Sequence, residues 1–471
     1  MLLKNALQKI EGLRFIIDKL DVQSGLTRRL LFDMPSMNQP DQIISEWNQM
    51  EVCRRLILRP DSEKILSAVR RQLAEIKDIR GTLERIRQKK VLDDIELFEI
   101  KAFSLLSQSI AGMMENALID IFPIPSLEEV IHWLDPDNTR IPHFYIVDAY
   151  SSKLAKIRKQ IRRLKQASPD SNQEEVDELY LQTIAIEDEI RQNISLKLGG
   201  YVTAIGQALS AIAAIDLSIA KAQQAIDWKF CKPGISEKAI RYTAIFNPEI
   251  QMALHSEGKK FQPVDICIEK TTTIITGANM TGKSALLKTI ALAQTLFQYG
   301  FYLPASEAST ICFDEIMLCM GDEQDTLRGL SSFAAEALKI NDIAQAVKEG
   351  KNILALIDEP ARTTNPDEGK AIVNALTAFL AKHRVYSLIT THYSDIKASC
   401  KRLRVKGFRK ETINERLTID SINRYIDYSL EEETGDEPPR EAVHIMRILD
   451  IEPELLELIE EQTKRNQEKT I

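Results

Sequence analysis

"TTTIITGANMTGKSALLKTIALAQ", residues Thr271–Gln294, is the stretch that decides the fold. A run of β-branched residues reaches Gly277, Gly-Lys-Ser arrives at Gly282–Ser284, and an apolar helical pattern begins. β-branched residues suit a strand, and the spacing G-x-x-x-x-G-K-[ST] between strand and helix is that of a phosphate-wrapping turn. Gly277 and Gly282 let the backbone turn with no Cβ in the way. The backbone of Gly277, Ala278, Asn279, Met280, Thr281 and Gly282 is then expected to point N–H groups at a β-phosphate, helped by the partial positive charge of the following helix. Lys283 is expected to bridge β- and γ-phosphate oxygens, and the Ser284 hydroxyl to ligate Mg²⁺.

Two further strands end in groups that suit such a turn. "NILALIDEP", Asn352–Pro360, is apolar until it closes on Asp358 and Glu359. Asp358 suits water held on Mg²⁺, and Glu359 suits the polarisation of an attacking water. "VYSLITTHY", Val385–Tyr393, carries His392 past its apolar run, placed to hydrogen-bond a γ-phosphate. Other strand-like runs are "IRYTAIF", "DICIE" and "TTTIIT", with helical patterns between the later ones. Alternation of strands and helices predicts an α/β domain with a largely parallel sheet over residues 231–401.

Upstream, to about Trp228, apolar residues recur at three- and four-residue spacing and Gly and Pro are scarce, the pattern of an all-α region over residues 1–230. Turn compositions break it at Asp33–Gln42, Ile121–Ser126 and Leu134–His143. "ASPDSNQEE", Ala167–Glu175, reads as the tip between two arms within residues 150–200. The first arm carries Lys153, Lys156, Arg158, Lys159, Arg162, Arg163 and Lys165 with no acid, and the second opens on Glu174, Glu175, Asp177 and Glu178. The arms fit an antiparallel coiled coil whose halves attract each other, or a basic edge laid on a nucleic-acid backbone. Downstream, residues 402–471 are highly charged and end in a two-helix pattern around "DIEP", expected to be a helical appendage for dimerisation.

Composition narrows the class. The chain has 471 residues, 44% of them hydrophobic, which suits a globular protein of several domains. Charges interrupt the N-terminal residues, so no secretory leader is expected, and no apolar run is expected to reach the roughly 20 residues that span a bilayer. The six cysteines show no CxxC spacing, which suits reduced thiols and a cytoplasmic location. The formal net charge of −8 argues against a whole-surface affinity for nucleic acid and leaves room for a local basic patch.

Taken together, these segments resemble the ATPase domain of the MutS family. Asn279-Met280 inside the turn, "YGFYLPA" (Tyr299–Ala305), "GDEQDTLRGLSSFAAEALKI" (Gly321–Ile340), "DEPARTTNPDEG" (Asp358–Gly369) and "TTHYSDI" (Thr390–Ile396) follow the family's motifs in order. The resemblance is specific over Thr271–Ile396 and looser over the helical region, which is similar to the family's core and lever helices. It implies a P-loop NTPase domain of ABC type, ATP and Mg²⁺ as cofactors, and a homodimer or a heterodimer with a related subunit. Ser331 and Ser332 would then face the γ-phosphate held by the other subunit, and Phe261 is the residue expected to stack on adenine. The chain departs from the family pattern where Ala278 replaces the usual proline, Thr281 the usual glycine, and Asn365-Pro366 stand in the switch loop. Only about 230 residues precede the ATPase, so the chain resembles a short form without the mismatch-reading and connector domains. "FDE" at Phe313–Glu315 falls inside the ATPase domain and is not a mismatch wedge.

The resemblance leaves three functional readings. The first is a switch ATPase that grips branched or duplex DNA with its helical arms. The second is an ATP-driven remodelling or reactivating factor for a protein client such as a cobalamin-dependent aminomutase. The third is an interaction protein that does not hydrolyse ATP, against which Lys283, Ser284, Asp358, Glu359 and His392 speak together.

Overall fold

The computed structural model describes residues 1–117, 121–167, 173–278, 281–320, 332–393, 396–408, 425–433, 446 and 451–468, with the side chains of 167, 332 and 463–468 outside the description. The chain divides into two units. Residues 1–20, 34–47 and 224–471 form one, and residues 21–33 and 48–223 form the other.

The first unit is built on a six-stranded sheet. β4 (Thr272–Thr276), β6 (Glu315–Cys319), β7 (Ile353–Asp358), β8 (Tyr386–Thr390), β9 (Lys401–Phe408) and β10 (Ile426–Glu432) lie in the order β10-β9-β4-β8-β7-β6. All pairs are parallel except β9 with β10, which run antiparallel at one edge. Residues of β4, β7 and β8 are buried on both faces, as parallel strands covered by helices must be. Helix α13 (Lys283–Gln298) follows β4 and is buried almost all round, consistent with apolar residues on every face. Ile274, Ile357 and Ile389 of the central strands meet Val373 and Leu380 of α15 (Pro366–Lys382) in one core. A second sheet has the order β1-β5-β2-β3, from β1 (Gly234–Ile235), β2 (Ala239–Ile245), β3 (Val264–Glu269) and β5 (Glu307–Thr310).

Sequence order assigns residues 1–20 and 34–47 to the helical region, yet both segments are part of the α/β unit. The backbone N–H of Met37 donates to Gln298 O at 2.7 Å, and the Tyr299 hydroxyl donates to Met1 O at 2.9 Å. Helical periodicity reports which face is covered and is silent about what covers it. The expected helical appendage from residue 402 is also corrected, because β9 and β10 continue the main sheet. In β9, Leu403 and Val405 are buried and alternate with Arg404 and Lys406. That period of two is a strand signal which the high charge obscures. Farther on, Pro453–Glu468 is helical, while most of the preceding half of the "DIEP" pair lies outside the described residues.

The second unit is helical. α7 (Asp94–Asn116) opens on a capping box in which Asp93 accepts from the Glu96 backbone and Glu96 accepts from the Asp93 backbone. Its buried Lys101 donates to Asp135 Oδ1 at 3.0 Å, and both side chains are 4% exposed. Asp135 also accepts from Thr139 Oγ1 and Arg140 N. Burial works to raise its carboxyl, but these donors prevail and hold it near 2, below the ordinary 3.8. Three turns read from sequence, at 33–42, 121–126 and 134–143, contain the ends of helices or the segments between them. The expectation that no segment is apolar enough to span a bilayer is corrected: the helical stretch Gln173–Asp227 contains one such window by composition. Of that window, 56% is buried inside the protein, as in a core helix. Alanines and Gly206 separate the larger apolar residues in Val202–Asp227, so the stretch is apolar on average without a continuous run of large side chains.

Candidate functional site

Three parallel strands deliver the candidate groups to one edge of the main sheet. β4 ends at Thr276, β7 at Asp358 and β8 at Thr390, with Ile275 and Asp358 both in register with Thr390. Ligands of open α/β sheets gather at such carboxyl ends.

The turn after β4 needs its glycines. Gly277 has φ 148° and Gly282 φ 78°, both in the region that side chains rarely adopt. A Cβ on Gly277 would meet Thr281 Oγ1 at 3.1 Å, and one on Gly282 would meet the Tyr428 ring at 3.0 Å. Thr281, the departure from the usual glycine, donates its hydroxyl to Ala278 O at 2.7 Å and so braces the turn from within. Lys283 is 4% exposed, and its ammonium donates to Gly277 O at 2.8 Å and Ala278 O at 2.9 Å. It also stands 3.6 Å from Glu359 Oε1. A buried cation ringed by carbonyls and one carboxylate is a charge held at the mouth of a helix N-terminus, the electrostatics an anionic phosphate chain requires. Ser284 is in the first turn of α13, half-buried. Asn279 and Met280 lie outside the described residues.

Thr390 organises the two acids, a role sequence reading missed. Its hydroxyl donates to Asp358 Oδ1 at 2.5 Å and accepts from Glu359 N at 3.0 Å, while its carbonyl accepts from Glu359 N at 3.1 Å. Glu359 has φ 43° and Ala361 φ 61°, left-handed values for residues that carry a Cβ. Each costs about 1–2 kcal/mol, so the surrounding contacts must hold them. His392 is exposed two residues past β8, its ring 4.3 Å from that of Tyr393. Asn365 and Pro366, departures in the switch loop, start α15 well: Asn365 accepts from Asp367 N, and Pro366 occupies the first turn, where no N–H is needed.

Beside the turn lies a cavity of about 860 Å³. Thr281, Gly282 and Leu286 line one side, and Phe261 and Tyr428 are also on its wall. Gln262 ties the Phe261 segment to β10. It donates to Asp427 Oδ1 at 2.8 Å and Ser429 Oγ at 3.1 Å, and accepts from Tyr428 N at 3.3 Å. Tyr428 lies in "YIDYSLEE", whose alternation of apolar and polar residues is a strand signal without a functional motif. Ser331 lies outside the described residues, and Ser332 begins α14 (Ser332–Lys348) with its side chain undescribed.

The second unit carries the basic arm. α9 (Ser152–Ala167) and α10 (Gln173–Leu198) pack through Leu154, Ile157, Ile161, Val176, Leu179 and Ile186. Arg158 bridges Asp148 at 2.9 Å and Glu187 at 2.8 Å, and Arg162 reaches Asp148 at 3.3 Å. Lys165 donates to the Tyr180 hydroxyl at 2.8 Å. Lys153, Lys156, Lys159 and Arg163 are exposed and make no ion pair among the described residues.

Residues 273–436 match the family model for MutS domain V, a P-loop ATPase-type domain. The match runs through β10, past the boundary at 401 that composition suggests. Endonuclease MutS2 of Carboxydothermus hydrogenoformans is 28% identical over 335 residues, covering 69% of this chain and 39% of that protein. Endonuclease MutS2 of Caldicellulosiruptor bescii is 32% identical over 214 residues, covering 45% of this chain and 26% of that protein. For Endonuclease MutS2 of Ligilactobacillus salivarius the identity is 32% over 251 residues, covering 52% and 30%. The chain therefore spans well under half the length of these curated relatives. Motif order, sheet order and these matches agree: residues 273–436 are similar to MutS domain V, and the chain is similar to the MutS2 relatives over the part they share.

Proposed function

We propose that this chain binds and hydrolyses ATP as a dimeric switch ATPase and acts on DNA through its helical unit. The observation that carries this reading is the convergence of Lys283, Asp358, Glu359 and Thr390 at one sheet edge around a turn with two positive-φ glycines. Lys283 holds the β- and γ-phosphates, Glu359 accepts a proton from the attacking water, and His392 senses the γ-phosphate. Ser284 and Asp358 hold Mg²⁺, which supplies neutralisation of phosphate charge. The residues present fit this cofactor, since a hydroxyl at the start of α13 and a carboxylate at the end of β7 share the sheet edge. Phe261 and Tyr428 take the adenine in the neighbouring cavity. Ser331 and Ser332 serve the phosphate of the partner subunit, in a homodimer or with a related MutS-like chain. The residues after β10, including the helix Pro453–Glu468, contribute to that pairing.

The DNA reading draws on the MutS2 relatives and on Lys153, Lys156, Lys159 and Arg163. One observation favours a protein client instead: Arg158 and Arg162 are already engaged with Asp148 and Glu187, which reduces the free basic edge. The test combines phosphate release by the purified chain with DNA binding across salt. Glu359→Gln should abolish turnover while ATP still binds, and unchanged turnover would remove the assigned base. A DNA clamp should lose about 10³–10⁵ in affinity between 50 and 200 mM salt if it neutralises 6–10 phosphates. Binding that ignores salt, or no binding at all, would turn the reading toward a protein client.

A further inference from the structure

We infer that Glu336 is a positioning residue for the hydrolytic carboxylate, acting through the backbone of Ala361. The inference rests on ATP hydrolysis at the site proposed above and adds a residue to its machinery.

Ala361 is fully buried and two residues past Glu359. Both its backbone groups are taken by side chains from other elements. Glu336 Oε1, on α14, accepts the Ala361 N–H at 2.5 Å, and the Tyr393 hydroxyl donates to the Ala361 carbonyl at 3.3 Å. Tyr393 is itself confined, because a Cβ on Gly369 would meet its hydroxyl oxygen at 2.2 Å. The segment Glu359-Pro360-Ala361 thus has three fixed points: Thr390 at Glu359 N, Glu336 at Ala361 N and Tyr393 at Ala361 O. Within those points lie two left-handed residues, Glu359 at φ 43° and Ala361 at φ 61°, with Pro360 restricting the residue before it. Left to itself, such a segment relaxes toward ordinary backbone angles, and the Glu359 carboxylate, now 3.6 Å from the Lys283 ammonium, swings with it.

Glu336 is suited to this task. It is half-buried, and burial raises its carboxyl above the ordinary value, while the Ala361 N–H and nearby Arg362 favour the charged form. Charge-assisted bonds to backbone N–H groups are among the stronger hydrogen bonds. The residue stands one turn beyond the first residue of α14, so a shift of that helix passes to Ala361 through a single side chain.

The test uses the full chain with Glu336→Ala and Glu336→Gln. Gln keeps an oxygen that accepts the Ala361 N–H, and Ala does not. E336A should lower kcat for ATP about 10- to 100-fold, the scale of a catalytic group displaced by about an ångström. KM should stay within about threefold, since nucleotide binding belongs to the turn and the cavity, and E336Q should recover most of the rate. Hydrogen exchange of the peptide spanning residues 359–364 supplies a readout independent of hydrolysis, with E336A exchanging about tenfold faster than wild type and E336Q close to it. A rise in KM with kcat unchanged, or wild-type exchange in E336A, overturns the inference. If the wild-type chain itself fails to hydrolyse ATP, the proposed function fails, and the exchange comparison still decides whether Glu336 braces the loop.

Discussion

The sheet edge that carries Lys283 and the hairpin of α9 and α10 both present cations, but they hold them differently. Lys283 is buried, fixed by Gly277 O, Ala278 O and Glu359, and placed by backbone angles that few residues adopt. Lys153, Lys156, Lys159 and Arg163 project from an exposed helix face, while Arg158 and Arg162 are spent on internal ion pairs. In the first arrangement the position of the cation is set by the protein's own contacts. The second is a field whose strength depends on salt and tolerates exchange of one lysine for another. The first kind of support fixes one geometry, and the second leaves its charges free to move.

The largest effect should come from the helical unit's own buried charge. Asp135→Asn strands Lys101, and breaking a buried pair from one side costs about 3–5 kcal/mol, readable as a lower denaturant midpoint for the unfolding of that unit. The same carboxyl sets an acid limit. Its folded value, about 2, lies below the ordinary 3.8, so the stabilisation is fully present above 3.8 and is lost as pH falls through 2. Acid titration followed by circular dichroism should show the helical unit weakening in that window, and Asp135→Asn should flatten the dependence.

Next in size is Lys283→Ala, which should slow phosphate release about 10²- to 10³-fold, as loss of one preorganised donor does, with the fold intact by circular dichroism. A rate within tenfold of wild type would mean that the buried cation serves packing and not phosphate. Gly282→Ala should cost about 1–2 kcal/mol from left-handed strain and push the Tyr428 ring aside, weakening binding of a fluorescent ATP analogue. Smallest is Lys156→Ala, expected to reduce the salt slope of DNA binding by about 1 with ATPase unchanged. An unaltered slope would remove that lysine from the proposed contact and sharpen the contrast between the two supports.

How much of this was legible in sequence follows the same divide. The turn at Gly277–Ser284, the acids ending β7 and the histidine after β8 are short-range patterns whose residue types answer to chemistry, and the structure gathers their strands at one edge. Thr390, Tyr428 and Glu336 carry no signal in the sequence because what places them is contact between distant segments, such as Glu336 with Ala361 and Gln262 with Asp427. β9 was hidden for another reason: its lysines and arginines dominate the composition, although Leu403 and Val405 kept the alternation. The placement of residues 1–20 with the α/β unit had no local signal at all, since amphipathic helices look alike whichever surface they cover.

The cavity beside the turn is closed by β10, and that has a consequence for how the protein is made. Its wall joins Phe261 to Tyr428, so a nascent chain that has already folded its glycine turn still lacks one side of the recess. Domains generally begin to fold from the N-terminal side during synthesis, at about 5–20 residues per second. The complete recess therefore arrives late, only after the ribosome has passed residue 432, and any fragment ended before that strand should be born with an open pocket.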